Sequence, residues 1–261
     1  MTTDIDEVKE IIARSGNSFH SKVLKHLRDK KWTVLISPYY NDNISGKPRE
    51  IDLVAEKLFD MKDMFSNFSG YVNVRLFIEC KYIPQKTVFW FHDIDDEQSA
   101  ILLEQKFHCR RDNFETKKHH YKTSKQVAKL FADEKSKTGD NEIFYKALNQ
   151  SLNGMVNYRS KPTIIRNPRN QEKYIKCTLN YPIIVCNSFD NLYGVQIETE
   201  ADPYHLQDNF QLEVNYAYIN QQNINLNEYF LLDVVNFSRF DDFLESIKVD
   251  SDLAAFFLNP G

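Results

Sequence analysis

No run of about eighteen apolar residues occurs in this chain of 261 residues, so neither a membrane-crossing helix nor a membrane partner is expected. Cysteine is scarce. The four present, Cys80, Cys109, Cys177 and Cys186, form no C-x-x-C pair and no zinc-like spacing, which excludes a disulfide framework. The chain lacks a glycine-rich phosphate loop and a nucleophile elbow, so ATPase and serine-hydrolase chemistry are disfavoured. Internal repeats and low-complexity tracts are missing too. The opening residues, Met1 to Glu7, are acidic and lack the basic-then-apolar order of a secretion signal, which makes a cytoplasmic location the default expectation.

What is present argues for a folded globular protein: 42% of residues are hydrophobic and 13% aromatic. A net charge of −4 conceals a strong asymmetry. Residues 1–176 hold 31 Lys and Arg against 24 Asp and Glu, whereas residues 177–261 hold 2 against 13. The densest basic stretch is 106–137, with His108, His119 and His120 beside ten Lys and Arg. A second includes Arg159, Lys161, Arg166, Arg169, Lys173 and Lys176. Local charge governs phosphate contact, although charge runs also serve simply as solvated faces. His119-His120 has no helical i,i+4 spacing and no evident partner, so a dedicated zinc site is not expected.

Apolar periodicity predicts helices over 4–13, 18–30 and 142–158, and a short one over 240–247. Strands are expected over 32–36, 49–55, 71–82, 87–91, 181–186, 210–219 and 229–237, with 253–258 as an apolar tail. Residues 56–70 read as partly helical. Residues 95–140, charged and His-rich, read as a mostly helical insertion or a flap over the active face. The order of elements indicates an α/β sandwich. Phe89-Trp90-Phe91 reads as sheet packing rather than base stacking, and Tyr39-Tyr40 is ambiguous.

The most informative feature is a pair of acidic strands. Asp52 lies in the first, and Glu79-Cys80-Lys81 ends the second about 25 residues later. Period-two alternation puts Glu79 and Lys81 on one face and the Cys80 side chain, as core packing, on the other. If the strands pair, Asp52 joins them. Two hard oxygen ligands and a cation around one point suit Mg²⁺-assisted attack on a phosphodiester. A nearby cation together with partial desolvation is expected to lower the Lys81 pKa towards that of a base. An ordinary salt bridge of Lys81 with Asp52 or Glu79 is the plain alternative.

The arrangement resembles the PD-(D/E)xK phosphodiesterase superfamily, most closely its Mrr-like branch, over roughly residues 16–187. The resemblance rests on Asp52, on Leu76-Phe77-Ile78 leading into Glu79-Cys80-Lys81, and on the flanking helices. It implies a restriction-endonuclease-like fold: a central mixed sheet flanked by helices, here with a helical basic insertion. It implies that Asp52, Glu79 and the Cys80 carbonyl hold Mg²⁺, with Mn²⁺ as a substitute, and that Lys81 orients water and offsets phosphate charge. Where the family often has Gly-x-x-Phe-Glu, this chain reads Gly16-Asn17-Ser18-Phe19-His20. His20 then either binds metal, bonds a water beside it, or faces solvent. Gln150, with Tyr158 two turns later, stands where many relatives carry an active-site glutamine. Glu10 and Glu50 are weaker candidates.

The expectation is a single nuclease domain over 1–261, with the core at 16–187, the insertion at 95–140 and an acidic C-terminal extension at 188–261. Its activity would be metal-dependent hydrolysis of DNA, in restriction or phage defence by family habit. DNA is the expected partner, with a homodimer or a partner defence subunit as further options. A nucleic-acid-binding or assembly module with a degraded site, or a ribonuclease of the same fold, is the alternative.

Overall fold

The computed structural model describes residues 4–43, 45–62, 69–133, 143–159, 161, 175–199, 201–220 and 222–258. In chain order it runs α1 (Asp4–Arg14), α2 (Asn17–Asp29), β1 (Thr33–Ile36), β2 (Tyr39–Asn41), β3 (Pro48–Glu50), β4 (Leu53–Lys62), β5 (Ser69–Lys81) and β6 (Thr87–Asp93). There follow α3 (Asp96–Phe107), β7 (Gln126–Asp133), α4 (Ile143–Tyr158), β8 (Ile175–Cys186), β9 (Leu192–Gln196) and β10 (Tyr204–His205). The chain continues with β11 (Phe210–Ile219), β12 (Asn225–Asn236) and α5 (Phe240–Leu258).

Ten strands form one mixed sheet in the order β1-β4-β5-β8-β12-β11-β7-β6-β9-β10, while β2 and β3 pair separately. Alternation along the central strands divides the core into two layers. Leu53, Leu76 and Ile78 pack with Val23 and Leu27 of α2, Leu103 of α3, and Phe240 and Ile247 of α5. Val54 and Phe77 point the other way, towards Phe144, Ala147, Leu152 and Met155 of α4. The expected α/β class, a large mixed sheet flanked by helices, is therefore observed.

Helix α4 is stitched to the sheet at its centre. The Ser151 hydroxyl donates to the Phe77 carbonyl (2.9 Å) and accepts from the Ile183 N–H (3.1 Å). Gly154 allows a close approach, because a Cβ there would stand 3.0 Å from Ile51 Cδ1. Consequently α4 lies over the strand ends that carry Asp52 and Glu79.

Several expectations need correction. The partly helical reading of 56–70 fails over its described residues: β4 and β5 are antiparallel neighbours, with Glu56 opposite Arg75. That pair forms a buried ion pair, and Arg75 also donates to the Tyr158 carbonyl of α4 (2.8 Å). A cross-strand pair between opposite charges favours the hairpin over a local helix. The helical-insertion reading of 95–140 holds for α3 and for the 3₁₀ turns Phe114–Lys118 and His120–Lys122, but β7 belongs to the sheet, between β11 and β6, and residues 134–140 lie outside the described residues. The acidic C-terminal third contributes to the sheet itself, because β12 sits between β8 and β11. The tail at 253–258 is the last part of α5. Finally, the apolar stripe of α1 faces outward, with Ile5 67% and Ile11 68% exposed.

Candidate functional site

The β4–β5 pairing stops at Leu53 opposite Ile78. Beyond that point, the edge of β5 that faced β4 has no strand beside it, and its backbone groups need other partners. Asp52, in the bend before β4, supplies one. Its Oδ2 accepts the Cys80 N–H at 2.7 Å, and its own N–H points to Glu79 Oε1 at 3.3 Å. The Asp52 carbonyl accepts from the Ser37 N–H (2.8 Å), which fixes the bend. On the other side of β5, the Lys81 carbonyl accepts from the Asn187 N–H (3.0 Å).

Glu79 and Lys81 share a face, as alternation requires, and Lys81 Nζ donates to Glu79 Oε2 at 2.7 Å. Lys81 Nζ also lies 4.0 Å from Asp52 Oδ2. The three expected residues thus converge on one point. The Glu79 side chain is fully buried, while those of Asp52 and Lys81 remain 27% and 20% exposed. Burial pushes the Glu79 carboxyl up to about 7, aided by the Asp52 charge and opposed by Lys81. Burial also pulls on Lys81, but the neighbouring carboxylates of Glu79 and Asp52 win and hold its pKa above the ordinary value. With these two carboxylates as its neighbours, Lys81 is held as an ammonium. A lysine flanked by two acids is a source of positive charge, not a free base.

Cys80 directs its side chain to the opposite layer, beside the α2 and α5 core. Its N–H faces Asp52, and its carbonyl leaves the strand on that same edge. Gln150 on α4 does not touch the three; its amide donates to the Glu50 carbonyl (3.1 Å), two residues before Asp52. Tyr158 donates to the Tyr39 carbonyl (2.8 Å). No hydrogen bond or ion pair links His20 to the site among the described residues, and its Nε2 is buried without a partner.

The basic stretch looks less available for phosphate than its composition suggests. Lys106 pairs with Glu228 (2.6 Å), Arg111 with Glu104 (2.8 Å), Lys122 with Asp96 (3.0 Å) and Lys129 with Glu213 (2.8 Å). Of the second stretch, Arg166, Arg169 and Lys173 lie outside the described residues.

A second charged cluster escaped the sequence reading. His119 and His120 do have partners, and those partners are far along the chain. His120 Nδ1 bonds Asp250, its Nε2 lies 3.3 Å from Asp233, and its N–H donates to Asp250 Oδ1 (3.1 Å). The hydroxyls of Tyr181 and Tyr121 reach Asp250 and Asp233 respectively, each at 3.2 Å. Burial alone would lower the His120 pKa, but the two carboxylates outweigh it and push it up to about 10. Its neighbour His119, fully buried, is pulled down to about 3. Its Nδ1 accepts the Tyr121 N–H (3.2 Å), leaving Nε2 to carry the proton, 3.5 Å from Asp250. His119, His120 and Asp250 lie within metal-binding range of one another. Yet in this bonding pattern neither ring presents a lone pair to an ion.

No protein-family model, curated protein or solved structure to which the chain was compared matches it.

Proposed function

We propose that the protein is a metal-dependent nuclease that hydrolyses DNA phosphodiesters at Asp52, Glu79 and Lys81. The observation that carries this reading is the convergence of two carboxylates and an ammonium at a strand end where sheet pairing stops. A buried carboxylate next to a second one is costly as an anion, and cations offset that cost. The oxygen donors fit Mg²⁺ or Mn²⁺: Asp52 and Glu79 would hold the ion with the Cys80 carbonyl, which leaves β5 on the Asp52 side. When bound, the ion supplies Lewis acidity at the phosphoryl oxygen.

The chain's own groups have distinct tasks. Lys81 carries the fixed positive charge that offsets charge developing on the phosphate. It stands as a hydrogen-bond donor 2.7 Å from Glu79 Oε2 and 4.0 Å from Asp52 Oδ2. Asp52 is oriented by the Cys80 N–H, and Gln150 steadies the approach to Asp52 by holding the Glu50 carbonyl. With most of the described cations of 106–137 paired internally, strand contact falls chiefly to the surface around this site.

Supercoiled plasmid incubated with the protein in Mg²⁺, Mn²⁺ and EDTA tests the reading. Metal-dependent nicking or linearisation that falls at least about 100-fold in Lys81→Ala is the expected result. Absence of cleavage in every metal, on DNA and RNA alike, would favour a binding module. Cleavage of RNA alone would change the substrate.

A further inference from the structure

Beside the carboxylate site, between α4 and the β2–β3 hairpin, lies a cavity of about 520 Å³. This volume lies within the range typical of small-ligand sites. Three features tie it to the reactive point. Gln150 forms part of its wall and holds the Glu50 carbonyl, two residues before Asp52. Tyr40, buried in the wall, donates its hydroxyl to the Gln150 carbonyl (3.3 Å). Burial raises the Tyr40 pKa, and the Glu79 charge raises it further, so the two groups share one electrostatic neighbourhood.

The chemistry of the lining is specific. Tyr145 stands 45% exposed on α4, and Tyr216 lies buried on β11. Asn149 falls one turn after Tyr145, where i,i+4 spacing puts both on one helix face. Its Nδ2 is committed to the Tyr145 carbonyl (2.8 Å), as the Gln150 Nε2 is to Glu50. No described residue donates to either amide oxygen, so both remain as acceptors. Lys146 and Arg49 supply two cations to the lining, and Asp42 one carboxylate. Arg49 Nε stands 3.8 Å from Asp42, a long contact that leaves its guanidinium half exposed.

Aromatic faces, amide acceptors and two cations in one cavity match the parts of a nucleotide: base, base edge and phosphate. A base stacked inside a duplex cannot enter such a cavity, because it must first leave the stack. We propose that this cavity seats one unpaired nucleotide of the bound strand, its base against Tyr145 and its phosphate on Arg49 and Lys146. The inference rests on the nuclease reading and narrows it to substrates with a single-stranded segment.

The test is fluorescence anisotropy of the intact protein in EDTA, with a labelled DNA single strand and with the same sequence as a duplex. The single strand is expected to bind at least tenfold more tightly than the duplex. Tyr145→Ala should weaken single-strand binding by about tenfold and leave duplex binding unchanged, whereas Tyr145→Phe, which keeps the ring, should bind as wild type. Equal affinity for the two forms, or unchanged single-strand binding in Tyr145→Ala, overturns the proposal. Plasmid cleavage is read separately. Tyr145-dependent single-strand binding without cleavage keeps the cavity and removes the nuclease; cleavage without that dependence does the reverse.

Discussion

Two clusters of buried charge lie in one sheet, and they are built to opposite ends. At His120, two aspartates share one imidazolium, and two tyrosine hydroxyls, a backbone N–H and the Gln211 amide complete their hydrogen bonds. At Glu79, two carboxylates share a single ammonium, and the sheet stops where they meet. The first joins a 3₁₀ turn after α3 to β12 and α5, and is sealed, with His119 and Asp250 fully buried. The second keeps Asp52 and Lys81 partly open to solvent. Buried charge by itself therefore does not mark a reactive site. The second cluster differs in lying at an open edge of the sheet.

The largest expected effect tests the sealed cluster. Asp250→Asn leaves the His120 cation with one carboxylate, and breaking such a buried pair costs about 3–5 kcal/mol. Urea unfolding should show that loss, and thermal unfolding a fall of roughly 10 °C. A loss below about 1 kcal/mol would mean that the cluster is not the clamp described.

The next effect should fall on rate instead of stability. Glu79→Gln removes a negative charge from the open cluster and keeps its shape. Cleavage should drop by about 10²–10³-fold, while the unfolding free energy stays within about 1 kcal/mol of wild type. If this variant instead unfolds as readily as Asp250→Asn, the distinction between the two clusters collapses.

A smaller effect appears as a pH dependence. The His120 pKa is raised from 6.5 to about 10, so its stabilisation is complete below 6.5 and is lost as pH climbs through about 10. The groups facing it are Asp250, Asp233, His119, Tyr121 and Tyr181; the pKa of each tyrosine lies well above the ordinary value. The stability gap between wild type and His120→Gln should therefore narrow between pH 6.5 and 10 in urea titrations. A constant gap across that window would show that the imidazolium charge contributes nothing.

The open cluster was legible in the sequence because it is local. Glu79 and Lys81 are two positions apart on one strand, and alternation fixes their shared face. Asp52 needed only the neighbouring strand of a hairpin. The sealed cluster was not legible: His120 meets Asp233 and Asp250 across 113 and 130 positions. Adjacent histidines give no periodic signal that would announce such partners. Helices α2 and α4 followed from their apolar stripes, and β11 from its own pattern. β4 was misread because its charges, Glu56 and Lys57, look solvent-facing until Arg75 is placed opposite Glu56. The two carboxylates beside Lys81 were expected from the strands; that they outweigh its desolvation follows only from the distances.

The order of strands also gives the molecule a schedule. β12, which follows every other strand of the sheet in the chain, fills the slot between β8 and β11 at the middle of the sheet. Until it arrives, the half that carries Asp52, Glu79 and Lys81 ends in the bare edge of β8, and α5 is missing from beneath it. A chain made only as far as β11 therefore holds Asp52, Glu79 and Lys81 without the strand that completes the sheet beside them. Strand order thus makes the last strand of the sheet the one that joins its two halves.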